Sequence, residues 1–299
     1  MPLEDVLEAV PQLRGEREVE RLAGGLTNTN YKITTPSGRF VVRLAGKDTG
    51  LLAIDRENEA HNTIAAAETG VGAPVVAVLP EHDALVLAFL DGEVMDTEKL
   101  QRGDRLESIA LACRRLHAGR RFLHDFDMFA IQRGYVRVVQ ERGFRLPDRY
   151  GEFELAMRRL EQAMRRHPEP AVPCNNDLLA ENFIEVDGVM RLIDYEYSGN
   201  NEPAFELGNV WSESNLSLPQ LEELITHYYG RPLRNKVARA RLWGLMSKYG
   251  WTLWGSIQDA VSEIDFDFWS WAMEKYDRAV AEFEGSEFEQ LLADVQRSD

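Results

Sequence analysis

Cysteine is scarce in this chain, long apolar runs are missing, and positive charge is in short supply. The 299 residues include two cysteines, Cys113 and Cys174. Two cysteines form neither a disulfide framework nor a zinc ligand set, so a reducing compartment, the cytoplasm, is expected. The first residues, MPLEDVLEAV, are acidic and lack the basic-then-apolar order of a signal peptide. The most apolar stretch, VGAPVVAVLPEHDALVLAFL, is interrupted by Pro74, Pro80, Glu81, His82 and Asp83. It reads as two strands around a turn, with no membrane insertion. Lys and Arg total 34 against 50 Asp and Glu, a net charge of -16. That argues against a nucleic-acid or anionic-membrane partner, because phosphate needs basic surface. It suits a cationic small molecule, or simply a solubilising acidic surface.

What is present suffices for a sizeable core: 44% of residues are hydrophobic. Residues 1–90 read as strand-rich with one helix. YKITT and RFVVRLA flank Pro36-Ser37-Gly38 as a hairpin. IDRENEAHNTIAAAE is helical, and VVAVL and ALVLAFL are buried strands. After Asp91-Gly92 the period changes to that of helices, first in KLQRGDRLESIALACRRLHAG and then in RYGEFELAMRRLEQAMRRH. The expected architecture is α+β. A small β-rich lobe (1–90) is followed by a larger, mainly helical lobe (91–299).

The chemistry concentrates in residues 172–196, VPCNNDLLAENFIEVDGVMRLIDYE. FIEV and VMRLI are joined by Asp187-Gly188, a strong signal for a tight type I′ hairpin. Antiparallel pairing then brings Asn182 and Asp194 to one end of the ribbon, with Asp177 in the loop that feeds it. Phosphoryl transfer uses such a set. One carboxylate orients the nucleophile or accepts its proton; a second carboxylate and an amide oxygen hold magnesium. The spacing D-x-x-x-x-N matches a kinase catalytic loop. Chance supplies about one such match in a chain this long, so the following hairpin carries the weight. The competing reading is a set of Asp and Asn turns and caps. No His or Cys cluster is legible nearby. His117 in RRLHAG reads as a structural histidine on the apolar side of a helix. His124 and the aspartates of FLHDFDMF read as loop and cap residues.

At this point the sequence resembles a family. CNNDLLAENFI followed by LIDYEYSGNNEPAFELGN resembles the choline/ethanolamine kinases, within the wider aminoglycoside-phosphotransferase-like kinases. RLAGGLTNTNYKI resembles their nucleotide loop, VVRLAGK and IDRENE their basic strand and following helix, and KYGWTLWGSIQ their substrate helix. The resemblance runs in order from about Leu22 to Tyr276. It implies a protein-kinase-like fold with ATP and Mg2+ in the cleft. It makes Asp177 the catalytic base or nucleophile-orienting carboxylate and Asn182 and Asp194 the magnesium ligands. Gly24, Gly25, Asn28, Arg43, Glu59 and Phe89 become the nucleotide site, with Glu59 the helix partner of Arg43. Two departures stand out: Asn175 where the family usually has histidine, and Glu206 where it commonly has aspartate. An asparagine has both donor and acceptor atoms and could brace the loop as the histidine does. The site is therefore expected to work; the alternative is a binding module without turnover.

Four of six tryptophans lie between Trp251 and Trp271. Trp251 and Trp254 share a helix face, and Phe268 and Trp271 repeat the spacing after a turn near Glu263–Asp265. By itself such a stripe is usually core. The resemblance makes it an aromatic cage for a cation, each ring contributing about 0.5–2 kcal/mol. Glu196 and Glu213 would add charge complementarity, unless they are satisfied surface or capping carboxylates. The expected acceptor is a small cationic alcohol, choline first and ethanolamine next. Thiamine and aminoglycosides are the alternatives.

Overall fold

In the computed structural model, which describes residues 2–46, 49–102 and 105–298, the hairpin around Pro36-Ser37-Gly38 forms the middle of an antiparallel sheet. Strands β1 (Glu18–Arg21), β2 (Asn28–Thr35), β3 (Gly38–Ala45), β4 (Val75–Leu79) and β5 (Ala84–Ala88) lie in the order β1-β2-β3-β5-β4. β2 and β3 pair from Asn28↔Ala45 to Thr35↔Gly38. Ile33, Phe40, Val42, Ala84 and Val86 form the sheet's apolar face. β4, expected to be buried, is half-exposed throughout. It is an edge strand, with a register shift between Val75 and Ala77, and an edge has one neighbour to cover it.

This lobe has one α-helix more than expected. Helix α1 (Pro2–Ala9) and the turn after it supply Val6, Leu7, Val10 and Leu13, which close the open face of the sheet. Eight residues give too few turns for a periodic signal. Helix α2 (Arg56–Glu68) begins where expected. Asp55 caps it by accepting the N–H groups of Glu57 and Asn58 at 3.0 and 3.1 Å.

The second lobe is built from α3 (Thr97–Leu100), α4 (Arg105–His117), α5 (Met128–Arg142), α6 (Glu154–Arg166), α7 (Pro203–Glu213), α8 (Leu218–Tyr229), α9 (Arg234–Val261), α10 (Phe268–Phe283) and α11 (Phe288–Asp294). The helix expected from Lys99 to Gly119 is instead the pair α3 and α4. Gly103 and Asp104 between them, like Lys47 at the end of VVRLAGK, lie outside the described residues. Short strands interrupt the helices: β6 (Glu93–Val94), β7 (Val172–Cys174), β8 (Phe183–Val186), β9 (Val189–Leu192) and β10 (Gly199–Asn201). The fold is α+β and two-lobed, with a small β-rich lobe and a larger, mainly helical one.

The 28-residue α9 is the axis of the large lobe. From Ala238 to Gln258 it is buried all round except at half-buried Arg241, its buried Arg239 and Lys248 being paired with Glu202 and Glu282; α5, α7, α10 and α11 all pack on it. Its crossing with α7 is close. A Cβ on Gly208 would stand 2.1 Å from the carbonyl oxygen of Ala240, and one on Gly244 would stand 2.9 Å from that of Gly208. These two glycines let α7 lie against α9, and α7 carries Glu206, Asn209 and Glu213 toward the site.

Candidate active site

The Asp187-Gly188 turn has φ of 50° and 75°, the left-handed pair a type I′ hairpin needs. β8 and β9 pair from Val186↔Val189 to Phe183↔Leu192. One step beyond, Ile193 N–H donates to Asn182 O at 3.0 Å. Asn182 and Asp194 therefore stand at the same end of the ribbon. The Asn182 side-chain N–H donates to Asp177 O at 2.7 Å. That fixes the amide's nitrogen toward the loop and leaves its oxygen as the outward donor atom. A carboxylate and an amide oxygen are hard ligands of the kind magnesium takes, so Asn182 and Asp194 fit that ion.

Asn175 is wholly buried, and its side chain makes three hydrogen bonds. Its Nδ2 donates to Ile193 O at 3.1 Å and Asp194 O at 2.8 Å, and its Oδ1 accepts the N–H of Asp177 at 3.1 Å. Asn176, in the left-handed region at φ 67°, uses Nδ2 on the carbonyls of Cys174, Tyr197 and Gly199. Beneath both, Glu206 accepts the N–H groups of Asn175 and Asn176 at 2.9 and 2.7 Å. Leu178 N–H goes to Asn209 Oδ1 at 2.6 Å. Helix α7 thus holds the loop by its backbone, leaving the Asp177 side chain uncommitted to that task.

The structure also assembles a cluster the sequence hides. His117, Cys174 and Glu206 bring ligand-type atoms within 4.8 Å of one another. His117 binds the Tyr228 hydroxyl at 2.7 Å and lies 3.5 Å from Glu206 and 3.6 Å from Cys174. Burial, reinforced by Glu206, pushes the Cys174 thiol well above its ordinary value, so it is neutral. The cluster supports the loop from below, and His117 is the structural histidine expected. His124 offers backbone: its carbonyl accepts from Asn200 N–H at 2.9 Å. Asp127 caps α5 through Ala130 N–H at 3.1 Å.

Arg43 on β3 joins the lobes. Its guanidinium meets Glu59 at 3.0 Å, Asp194 at 2.7 Å and Glu196 at 3.5 Å. Burial opposes that charge, but Asp194, Glu59 and Glu196 together hold the guanidinium above its ordinary value. Arg56, which the sequence reading passed over, bridges Glu59 at 2.6 Å and Glu196 at 2.8 Å, and donates to Asn28 Oδ1 at 3.0 Å. Glu196 also accepts from Thr27 Oγ1 at 2.6 Å and Asn28 Nδ2 at 3.1 Å. It is neither a surface carboxylate nor a cap; it ties the glycine loop to the large lobe. Gly24 and Gly25 have φ of 88° and 89°, and a Cβ on Gly25 would meet Asn28 O at 2.9 Å. Open space lies around the Cβ position of Gly24, where a ligand can approach the backbone. Phe89 stands apart from this network, with Lys32 and Arg39 over its ring at 5.0 and 5.5 Å.

On the other side lie the aromatic rings. Trp254 is the hub, 5.8 Å from Phe268 and 5.2 Å from Trp271 between ring centroids. Its Nε1 donates to the Tyr197 hydroxyl at 2.7 Å. Trp251 faces Tyr197 at 4.8 Å rather than the rings of α10. The four expected rings are thus joined through a fifth, Tyr197. Glu213 is buried in an ion pair with Lys275, whose ammonium lies 4.3 Å from the Trp271 centroid.

Asp177 keeps some exposure, yet protein surrounds it closely. Burial pushes its carboxyl well above the ordinary range, aided by Asp194, Glu213 and Glu196 and opposed by Lys275. Burial likewise raises Glu196, with Arg43 and Arg56 pulling it down and Asp194 pushing it up. Such a set of acidic groups favours a cation among them.

Arg56, Tyr197 and Lys275 were missed because each lies in an ordinary helical or turn context. Only Tyr197, three residues after Asp194 in IDYEYSG, offered a signal, as an aromatic residue beside the acidic pair.

A family model described as choline/ethanolamine kinase matches residues 19–232. Human ethanolamine kinase 2 is 25% identical over 304 residues, 91% of this chain and 78% of that protein. A choline/ethanolamine kinase family protein from Mesorhizobium loti superposes with a TM-score of 0.86 at 32% identity, covering 99% of both chains. The choline kinase LicA from Streptococcus pneumoniae superposes at 0.79 with 24% identity, over 97% of this chain and 98% of its own.

Proposed function

The chain belongs to the choline/ethanolamine kinase family, and from that premise we propose that it transfers the γ-phosphate of ATP, with Mg2+, to the hydroxyl of a small cationic alcohol, choline first. The observation that carries this reading is the chain of bonds linking Asp194, Asn175, Asp177 and Asn182 at the end of one hairpin. It sits between an arginine-bearing strand and a group of aromatic rings. We place the change of lobe near residue 90, after the last strand of the five-stranded sheet.

Asp177 orients the acceptor hydroxyl. The hydroxyl oxygen forms the new bond to the γ-phosphorus while the bond to the β–γ bridging oxygen breaks. The proton passes to the Asp177 carboxylate, and ADP leaves with the electron pair. A raised carboxyl is a better proton acceptor than a free one. Asn182 and Asp194 would hold Mg2+, which supplies charge neutralisation on the phosphates. Arg43 adds positive charge there, held in place by Glu59. Gly24 and Gly25 present backbone to the phosphates, and Asn28 fixes that loop to Glu196. Trp251, Trp254, Phe268 and Trp271, with Tyr197, form the wall for the acceptor's cationic end.

Ethanolamine is the second reading. Glu213 Oε1 is buried without a hydrogen-bond partner, and a primary ammonium can donate to it where a trimethylammonium cannot. ATP consumption with choline, ethanolamine, thiamine and one aminoglycoside, with and without Mg2+, tests both. Turnover of the two amino alcohols that depends on Mg2+ is expected. Turnover of the aminoglycoside alone would overturn the substrate class.

A further inference from the structure

Lys275 is an unusual neighbour for a cation pocket. It comes from α10, one turn after Trp271, and its side chain is 7% exposed. Its ammonium makes an ion pair with Glu213 and lies over the Trp271 face at 4.3 Å. Those are the two kinds of group, ring face and carboxylate, that bind an ammonium ligand. Trp271 in turn touches Trp254, which holds Tyr197. The charges of Glu213 and Lys275 are both felt at Asp177, so the pair stands at the acceptor side of the site. Arg43 and Arg56 are already engaged by Glu59 and Glu196. On the ring side, Lys275 meets both Glu213 and a ring of the proposed pocket, whereas Lys248 pairs with Glu282 over Trp211 and Arg145 lies over Trp269.

We propose that Lys275 is a specificity-determining residue whose tethered ammonium fills, in the free protein, the ring face and carboxylate that receive the substrate's cation. The inference rests on the function proposed above. An incoming cation has to displace the lysine from Glu213 and Trp271, and the displaced ammonium must find water or another acceptor. Binding is weakened by that exchange, and the site rejects cations too weakly held to complete it. One carboxylate oxygen, Glu213 Oε1, is buried without a partner. It gives an arriving ammonium a first contact before the lysine leaves. A neutral alcohol gains nothing from the exchange, so the lysine also separates charged from uncharged acceptors.

The test is the affinity of tetramethylammonium, a cation with no hydroxyl, for the wild type and for Lys275→Met, Lys275→Gln and Lys275→Arg, read by calorimetry. Steady-state kinetics with choline, ethanolamine and ATP accompany it. Lys275→Met leaves Glu213 buried without its cation and carries a folding risk. Lys275→Gln keeps a donor for Glu213 and secures the comparison. Removing the tethered cation should tighten tetramethylammonium binding and lower the KM for both alcohols by about tenfold, the scale of one cation–π contact. KM for ATP should stay constant. Lys275→Arg, which keeps the charge, should bind like the wild type. Equal or weaker binding in both neutral variants overturns the proposal. If the wild type turns over neither alcohol, the kinase reading fails, while the tetramethylammonium comparison still decides the role of Lys275.

Discussion

The side-chain amide of Asn175 donates to the carbonyl oxygen of Asp194 at 2.8 Å, while its oxygen accepts the N–H of Asp177 at 3.1 Å. One neutral side chain thus ties the loop carrying one carboxylate to the strand end carrying the other. A residue that differs from the family's usual histidine still supplies a donor and an acceptor where the two segments meet. Asn175→Ala would leave two buried carbonyls and one N–H without partners, each costing about 1–3 kcal/mol. We expect a melting temperature lower by several degrees and a kcat reduced about tenfold to a hundredfold. Steady-state kinetics beside thermal unfolding decides it; wild-type kcat in the alanine variant would remove the bracing role.

Asp177→Asn should abolish turnover and stabilise the fold at neutral pH. The folded carboxyl lies well above its ordinary value, chiefly through burial, so the folded state binds more protons than the unfolded one as pH rises past about 3.9. Stability then falls with rising pH until the folded group has ionised. The asparagine variant lacks this penalty. Its melting temperature should exceed that of the wild type at pH 7 without nucleotide or Mg2+, and the gap should close toward pH 4. A constant gap across that range would contradict the argument.

Glu206 holds the loop from α7 through two backbone N–H groups. Glu206→Gln retains one good acceptor and faces one N–H with a donor. The expected result is a kcat about tenfold lower, with both KM values within about twofold, because loop position and not substrate contact is altered. A change confined to KM for the alcohol would show that Glu206 acts elsewhere.

Trp254 meets Phe268, Trp271 and Tyr197. Trp254→Ala removes a large core side chain, with a stability cost of about 3–5 kcal/mol, so Trp254→Phe is the better probe. Loss of the Nε1 bond and of indole face should raise KM for choline about fivefold to thirtyfold and leave KM for ATP near its wild-type value. Parallel increases in both would undo the assignment of these rings to the acceptor.

Glu196 ties Thr27, Asn28 and Arg56 to the large lobe. Glu196→Gln should therefore raise KM for ATP more than KM for choline, by about threefold to tenfold, through a loosened glycine loop. The reverse ratio would place Glu196 in the acceptor pocket, as its acidic position near the site suggests from sequence alone.

Local rules carry much of this architecture. Asp187-Gly188 between two alternating runs specifies a hairpin whose two ends must meet, and so the pairing of Asn182 with Asp194 was legible. The Trp251–Trp254 spacing specified a shared helix face, and the turn before Phe268 followed from the break in period. Which charges meet depends on the packing of distant elements. Arg43 reaches Asp194 across more than a hundred residues, and Arg56 and Lys275 find Glu196 and Glu213 only because α2, α7 and α10 pack as they do. The same holds for His117, Cys174 and Glu206. Hydrogen-bond register and side-chain period are properties of neighbouring residues. Ion pairs between distant elements depend on how whole helices cross, here on the bare backbones of Gly208 and Gly244, and no local pattern carries that information.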